Sequence, residues 1–462
     1  MSIEESFKPF AERMRAEGLP ELFIETFGDY YRQLTQGATG LIPEESIEPV
    51  VELPRADQLA EDLVDAGREA LPQTVVIKLN GGLGTSMGLD RAKSLLRVRG
   101  ELTFLDIIAR QALSDRVPLL LMNSFATDAD SLALLRKYPA LRSGAPLSFL
   151  QHKEPKIDCD SLAPASWPSD PSLEWCPPGH GDLYTALLTS GTLDRLVDDG
   201  ITHAFVSNSD NLGAVLDLRI LGYFASAGVP FMMEVADRTA MDRKGGHLAR
   251  DRSGRLLLRE AAQCPEQDEA AFQDITRHRF FNTNNLWLDL PAVRRALEER
   301  DGRLGLPMIR NKKTVDPRDP ESPCVYQLET AMGSAVSVFR DAGALHVPRT
   351  RFAPVKTTNE LLAVRSDAFV LTDAYRVVPN PARLDLPPLH ITLDARFYRF
   401  AAQLDQRFPH GPPSFVACTR LVVEGDVTFG EGIVVKGDVL VRAPDGPAAV
   451  PDGTVLRGDV NL

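Results

Sequence analysis

From Thr74 onward the chain alternates short apolar runs with stretches of helical spacing, and this rhythm constrains the fold more than any other feature. The runs are TVVIKLN (74–80), VPLLLMNS (117–124), LSFLQHK (147–153), HAFVSNSD (203–210), VPFMMEV (229–235) and NNLWLDL (284–290). Apolar runs of strand length separated by helices predict an α/β fold with a mixed, mostly parallel central sheet. Several runs end in polar clusters: Leu79-Asn80-Gly81-Gly82, Asn123-Ser124, Gln151-His152-Lys153 and Ser207-Asn208-Ser209-Asp210. In such sheets ligands bind beyond the carboxyl ends of the strands, so these clusters predict one shared site. Asn, Ser and Asp also start turns and cap helices. For Asn123-Ser124 the two readings weigh equally, whereas the unbroken polar run SNSDN favours a ligand.

The flanks differ in texture. PELFIETFGDYYRQLTQG and DQLAEDLVDAGREAL space apolar residues at three and four, so residues 1–70 predict helices, joined by the proline-broken TGLIPEESIEPV. Beyond RLDLPPL, short β-branched runs carry Gly-Asp at 425–426, 437–438 and 458–459, which predicts short strands stacked as a small β-helix. A chain of 462 residues is too long for one core. The expected division is a helical segment 1–70, a central domain 71–378 and a β-helix domain 379–462. The tail has no evident catalytic residue, so packing on the central domain or self-assembly into a homo-oligomer is its expected use.

The net charge of −13 argues against a nucleic-acid surface. A polyphosphate ligand would then need local lysines, backbone N–H groups and a divalent cation to offset the global field. The run VPLLLM is too short to span a bilayer, and the charged MSIEESFKPFAERMRAEG lacks an apolar signal core, so a cytoplasmic chain without membrane contact is expected. The five cysteines, at 159, 176, 264, 324 and 418, form no CxxC pair and are expected to be free thiols.

KLNGGLGTSMGLDRAKS (78–94) is a glycine loop leaving a strand. A Walker loop is excluded, because Met87-Gly88 is followed by Leu89-Asp90 where lysine is required. Gly82, Gly84 and Gly88 give GxGxxxG, one residue longer than the dinucleotide fingerprint, although Glu101 lies near the distance of a ribose-binding acid. The third reading uses Ala92-Lys93-Ser94. Glycines let backbone N–H groups approach a triphosphate, and Lys93 neutralises phosphoryl oxygens as charge moves. That is the logic of a nucleotidyltransferase.

LNGGLGTSMG, LMNSFATDAD, CPPGHGDLY, FVSNSDNLGA, FNTNNLW, QLETAMGSA and FAPVKTTNELL, in this order, resemble the eukaryotic-type UTP–glucose-1-phosphate uridylyltransferases, or UDP-glucose pyrophosphorylases. The resemblance runs from about Val75 to Asp367. One departure stands in it: many members have Cys-Lys-Gly-Pro-Lys where this chain has Leu89-Asp90-Arg91-Ala92-Lys93, so the first lysine is lost and the second kept. The resemblance implies a Rossmann-like, GT-A-like nucleotidyltransferase with N-terminal helices and a C-terminal left-handed β-helix. It implies that UTP and glucose 1-phosphate react in line, with Mg²⁺, to UDP-glucose and pyrophosphate without a covalent enzyme intermediate.

It also implies the site. Lys93 and Lys356 are the catalytic lysines, and Asp210 is the metal ligand. Leu79, Asn80, Gly81, Gly82, Gln151, Gly179, Asn208 and Asp210 bind nucleotide, with Gln151 and Gly179 reading the uracil. His180, set in a rigid exposed loop, contacts the sugar phosphate. Gly246, Glu260, Asn284 and Glu329 take the sugar hydroxyls, which suit carboxylates and amides. Strand alternation leaves open whether Asn282 and Asn284, or Asn285, face the ligand. Glu329 could equally start a helix, and Asp182 reads more simply as a helix cap. Broad-specificity UDP-sugar or UDP-N-acetylhexosamine pyrophosphorylases are the near alternative, and a noncatalytic nucleotide-sugar sensor is the distant one. A dinucleotide-dependent oxidoreductase explains neither Lys93, SNSDN nor Lys356.

Overall fold

The computed structural model describes residues 2–142 and 147–462. Helix α1 (Ile3–Ala16) opens on a capping box in which Ser2 and Glu5 satisfy each other's backbone N–H groups. It packs against α2 (Glu21–Thr35), and Phe10, Met14, Phe23, Phe27 and Tyr31 form a small core of their own with Ile157, Met308 and Leu328. Of the second stretch with helical spacing, DQLAEDLVDAGREAL, only the later part forms an α-helix, and the linker before it holds a strand. Ile47–Pro49 is a strand of the central sheet, and helix returns only at α3 (Leu63–Ala70). Helix α3 crosses the helix Leu218–Ala227 at close range: a Cβ on Gly67 or Gly222 would strike the main chain of Leu218 or Leu63.

Ten strands form the central sheet among the described residues. They are β1 (Ile47–Pro49), β2 (Thr74–Asn80), β3 (Leu119–Asn123), β4 (Ser148–Leu150), β5 (His203–Asn208), β6 (Phe231–Asp237), β7 (His247–Asp251), β8 (Leu256–Arg259), β9 (Phe280–Asp289) and β10 (Gly343–His346). Their order is β1-β7-β9-β5-β2-β3-β4, with β6 and β10 beyond β9 and β8 beside β7. The run β5-β2-β3-β4 is parallel. Strand β9 is antiparallel to β5, β6 and β7, and β7 is antiparallel to β1 and β8. The sheet is thus mixed: besides the run β5-β2-β3-β4 only β6 and β10 pair in parallel, so it is less parallel than the sequence suggests. The antiparallel half is built around β9, a ten-residue strand that runs against β5, β6 and β7.

Period-two alternation sends neighbouring side chains of each strand into two separate cores. Val76, Leu119, Leu121, Phe205 and Trp287 enter one. Val75, Ile77, Leu120, Met122, Ala204, Val206, Leu286 and Leu288 enter the other. The first core runs on into the tail, where Tyr398, Phe415, Leu421 and Val439 belong to it. There β11 (His390–Leu393), β12 (Cys418–Phe429), β13 (Val434–Val450) and β14 (Val455–Asn461) are parallel neighbours in chain order, joined without helices from β12 onward. Their register breaks at Gly425/Val427 and between Val435 and Val439, so the first two Gly-Asp pairs mark bends in the strands.

One expectation about cysteine is overturned. Cys159 and Cys324 form a disulfide across a sequence separation of 165, while Cys176, Cys264 and Cys418 are free. Pairing of Ile157 with Tyr326 and Asp158 with Val325 brings the two cysteines together, and nothing in their spacing announces it. No helix among the described residues is long and apolar enough to cross a membrane.

Candidate active site

The glycine loop leaves β2 and folds back on itself. Gly84 (φ 64°) and Gly88 (φ 74°) occupy the left-handed region, which costs glycine nothing. Lys93 N–H donates to the Gly82 carbonyl at 3.1 Å, so Lys93 lies against Gly84, where a Cβ would stand 3.2 Å from its Cγ. Lys93–Leu95 is a single 3₁₀ turn rather than the start of a helix, so any phosphate here meets loop N–H groups and not a helix dipole. Lys93 Nζ reaches Asp210 Oδ2 at 2.7 Å, with side chains 15% and 20% exposed. The candidate phosphate lysine and the candidate metal carboxylate are therefore one ion pair.

Asp210 in turn anchors Lys356. Its carbonyl accepts from Val355 N–H at 3.1 Å. Lys356 is exposed, with Nζ 6.0 Å from the Phe352 ring centroid. Its charge acts on Glu260: burial raises that carboxyl, and Asn282 and Lys356 pull against the rise. Gly246 abuts the same carboxylate so closely that a Cβ there would collide with it. Lys356, Glu260, Gly246 and Asn282 thus share one side of the site.

A β-bulge settles the asparagines. Glu234 pairs with Asn285 and Val235 with Asn282, which leaves Thr283 and Asn284 unpaired, and Asn284 has φ 57°. Asn282 and Asn284 join side by side, Nδ2 of the first donating to Oδ1 of the second at 2.9 Å. Asn285 points the other way, fully buried, and donates to Glu234 Oε2 at 2.9 Å. Of the three, Asn284 is the one left partly exposed.

Gln151, Gly81 and Gly179 meet on the opposite side. Gln151 Nε2 donates to the Gly179 carbonyl at 3.0 Å, and its Oε1 stands 2.7 Å from where a Gly81 Cβ would be. Gly82 beside it faces open space. Gly179 (φ 79°) is wedged against the Thr330 main chain and the Glu329 Cβ. His180 is half-buried rather than exposed. Its Nδ1 accepts from Met332 N–H at 2.9 Å, and burial lowers its pKa to about 4. The ring is neutral at pH 7, with Nε2 carrying the proton.

Other expectations need correction. Asp182 precedes the helix Leu183–Thr189 but does not cap it; its carboxylate accepts from His152 N–H at 2.7 Å and faces His152 Nδ1 at 2.9 Å. Glu329 ends the strand Cys324–Glu329 instead of starting a helix, and its Oε1 lies 3.4 Å from Lys313 Nζ. Asn80 is 2% exposed, and its amide is spent on Asn123 Oδ1 (2.7 Å) and Ser131 Oγ (2.8 Å), so its side chain does not reach the loop's ligand face. Leu79 packs partly buried against the second core. Asn208 is partly exposed, and its carbonyl accepts from Asn211 N–H at 3.3 Å.

Sequence reasoning missed a buried frame beneath these residues. Glu234, fully buried, takes Arg351 Nε at 2.8 Å and Nη2 at 2.6 Å, with Asn285 and the Trp287 Nε1–H completing its shell. The signal was available: one carboxylate inside the apolar run VPFMMEV needs a buried partner. Lys78 Nζ donates to Ser207 Oγ and the Ala214 carbonyl, both at 2.7 Å, joining β2 to the segment around Asp210. Burial, with Arg351 and Arg376 nearby, lowers its pKa to about 7.

A glycine loop at the end of a parallel strand, a lysine paired with a carboxylate beside it, and a second lysine opposite buried carboxyl and amide groups define a nucleotidyltransferase. A sequence model described as UTP--glucose-1-phosphate uridylyltransferase matches residues 22–436, and the chain belongs to that family. It is 41% identical over 424 residues to the UTP--glucose-1-phosphate uridylyltransferase of Solanum tuberosum, covering 90% of this chain and 86% of that one. It is 42% identical over 398 residues to the enzyme of the same name from Saccharomyces cerevisiae, covering 84% and 78%. A solved structure of a mutant UDP-glucose pyrophosphorylase from Leishmania major in complex with UDP-glucose superposes with TM-score 0.91 at 43% identity, covering 99% of both chains.

Proposed function

We propose that the chain transfers the uridylyl group of UTP to glucose 1-phosphate, giving UDP-glucose and pyrophosphate in a reversible reaction. The observation that carries this reading is the Lys93–Asp210 pair beside the glycine loop, tied through the Asp210 carbonyl to the segment that bears Lys356. An oxygen of the sugar phosphate attacks the α-phosphorus in line and pyrophosphate leaves. The residues supply position and charge rather than a nucleophile.

In this reading the N–H groups around Gly81 and Gly82 and the Lys93 ammonium take the triphosphate. Gln151 and Gly179 read the uracil, and Asn208 reaches the ribose or sugar. Lys356 bridges the sugar phosphate and the α-phosphate. His180, a neutral donor through Nε2–H, bonds the sugar phosphate without adding charge. Gly246, Glu260, Asn284 and Glu329 take the hydroxyls. Asp210 is a single, partly exposed carboxylate beside the loop, which fits Mg²⁺, a cation held by one or two carboxylates and by substrate phosphates. Bound there, the ion would offset charge on the phosphoryl oxygens. The triphosphate competes with Asp210 for Lys93 and so frees the carboxylate.

The test is pyrophosphate release from UTP, Mg²⁺ and glucose 1-phosphate, with galactose 1-phosphate and N-acetylglucosamine 1-phosphate in parallel. Release with glucose 1-phosphate alone is expected. Release with all three sugars moves the chain to the broad-specificity pyrophosphorylases, and none from folded protein that binds UTP makes it a sensor.

We also read residues 379–462 as a left-handed β-helix domain beside a catalytic domain 71–378 and a helical segment 1–70, and the cytoplasm as the chain's location. Glycine-marked bends between parallel strands support the β-helix. Its last strand, β14, is an edge with Val455 49% exposed, and it is the surface through which copies would assemble. Sedimentation of Val455→Lys beside the unaltered chain tests this: loss of an oligomer is expected, and an unchanged mass refutes it.

A further inference from the structure

Asn211 directly follows Asp210 and is only 2% exposed. Its amide is used at both ends. Oδ1 accepts from Gly213 N–H at 3.1 Å and from Ala353 N–H at 2.9 Å, and Nδ2 donates to the Arg351 carbonyl at 3.1 Å. Arg351 and Ala353 belong to the segment that leads into Lys356. The main chains meet at the same place. Asn211 and Pro354 form an antiparallel bridge, and Val355 N–H donates to the Asp210 carbonyl at 3.1 Å. Gly213 closes against the Thr350 carbonyl with no room for a Cβ. Arg351 is itself held from below by the two oxygens of Glu234.

We propose that Asn211 is a positioning residue for the transfer reaction: it locks the segment carrying Lys356 onto the loop carrying Asp210 and acts through Lys356. This rests on the catalytic reading of Lys356 given above. The chemistry of the junction requires an amide. Two N–H groups take its acceptor, and the Arg351 carbonyl takes its donor at 3.1 Å beside a longer bond from Asn285 Nδ2 at 3.3 Å; asparagine offers both on a short side chain. Aspartate keeps the acceptor but sets a carboxylate oxygen against the Arg351 carbonyl, and glutamine carries its amide one methylene beyond these partners. Lys356 is exposed and, among the described residues, forms no salt bridge, feeling Glu260 only at longer range, so its placement depends on the backbone that Asn211 ties down.

The experiment is a double-mutant cycle on pyrophosphate release, with kcat and KM measured for the unaltered chain, Asn211→Asp, Lys356→Ala and the double variant, each checked for folding. Misplacing a catalytic group by about 1 Å costs roughly a hundredfold, so Asn211→Asp is expected to lower kcat by about that factor with KM for UTP unchanged. In the Lys356→Ala background the same substitution is expected to change kcat no further. Equal losses in both backgrounds overturn the proposal, as does full activity in either single variant. If Asn211→Asp fails to fold, Asn211→Ser, which keeps one hydroxyl, goes through the same cycle. An unaltered chain that releases no pyrophosphate refutes the functional reading itself, whereas additive losses from an active chain refute only this inference.

Discussion

Glu234→Gln is the substitution whose cost the structure fixes most closely. The side chains of Glu234 and Arg351 are 0% and 8% exposed. Each carboxylate oxygen takes two donors: Oε1 from Arg351 Nη2 (2.6 Å) and Trp287 Nε1 (2.9 Å), Oε2 from Arg351 Nε (2.8 Å) and Asn285 Nδ2 (2.9 Å). Glutamine is the same size, but whichever way its amide turns, the NH₂ faces two donors. The guanidinium is left buried without a counter-charge. Removing one partner of a buried ion pair costs about 3–5 kcal/mol. That is a large share of the roughly 5–15 kcal/mol by which folded domains are stable. Urea unfolding followed by tryptophan fluorescence measures it, since Trp287 sits on the carboxylate itself. The double variant Glu234→Leu with Arg351→Met removes both charges and is expected to recover most of the loss. A loss below about 1 kcal/mol for Glu234→Gln, the value of a single ordinary hydrogen bond, refutes the assignment of this pair as a dry ion pair.

Three further outcomes follow from the site. Lys93→Ala is expected to lower kcat by about 10²–10³, the range for loss of one preorganised donor to transition-state charge, and steady-state rates of pyrophosphate release check it. Gly179→Ala places a methyl against the Thr330 main chain at φ 79°, so UTP binding measured by calorimetry should weaken sharply; unchanged affinity would mean that Gly179 does not shape the nucleotide pocket. His180 has its pKa lowered from 6.5 to about 4 by burial, so between those values the unfolded chain binds the extra proton. Its contribution to stability is therefore present above pH 6.5 and is lost as pH falls toward 4. His180→Gln should flatten the urea-midpoint profile in that window and leave it unchanged above.

Legibility in the sequence followed the range of the interaction. The strands that carry the site were visible as apolar runs, and the glycine loop, Asp210 and Lys356 stood where those runs end. Period two grouped Asn282 with Asn284 against Asn285 but could not choose between the two faces, and the bulge at Thr283-Asn284 is set by pairing with β6 and not by residues 280–289 alone. The Cys159–Cys324 bond depends on the pairing of Ile157 with Tyr326, which no local pattern encodes. The family resemblance implied Asn80 as a nucleotide contact, yet its strand turns its side chain inward toward Asn123, which no local pattern shows. The partners of Asn211 lie 140 and 142 residues away, beyond the reach of any local pattern.

The first core joins Val76 and Leu121 of the central sheet to Phe415, Leu421 and Val439 of the tail. During synthesis at roughly 5–20 residues per second, that apolar face waits several seconds for its cover after the last catalytic lysine has been made. A nascent chain carrying every residue of the site is therefore still a client for chaperones, and a late stop codon would leave an enzyme complete in chemistry but open to aggregation and proteolysis.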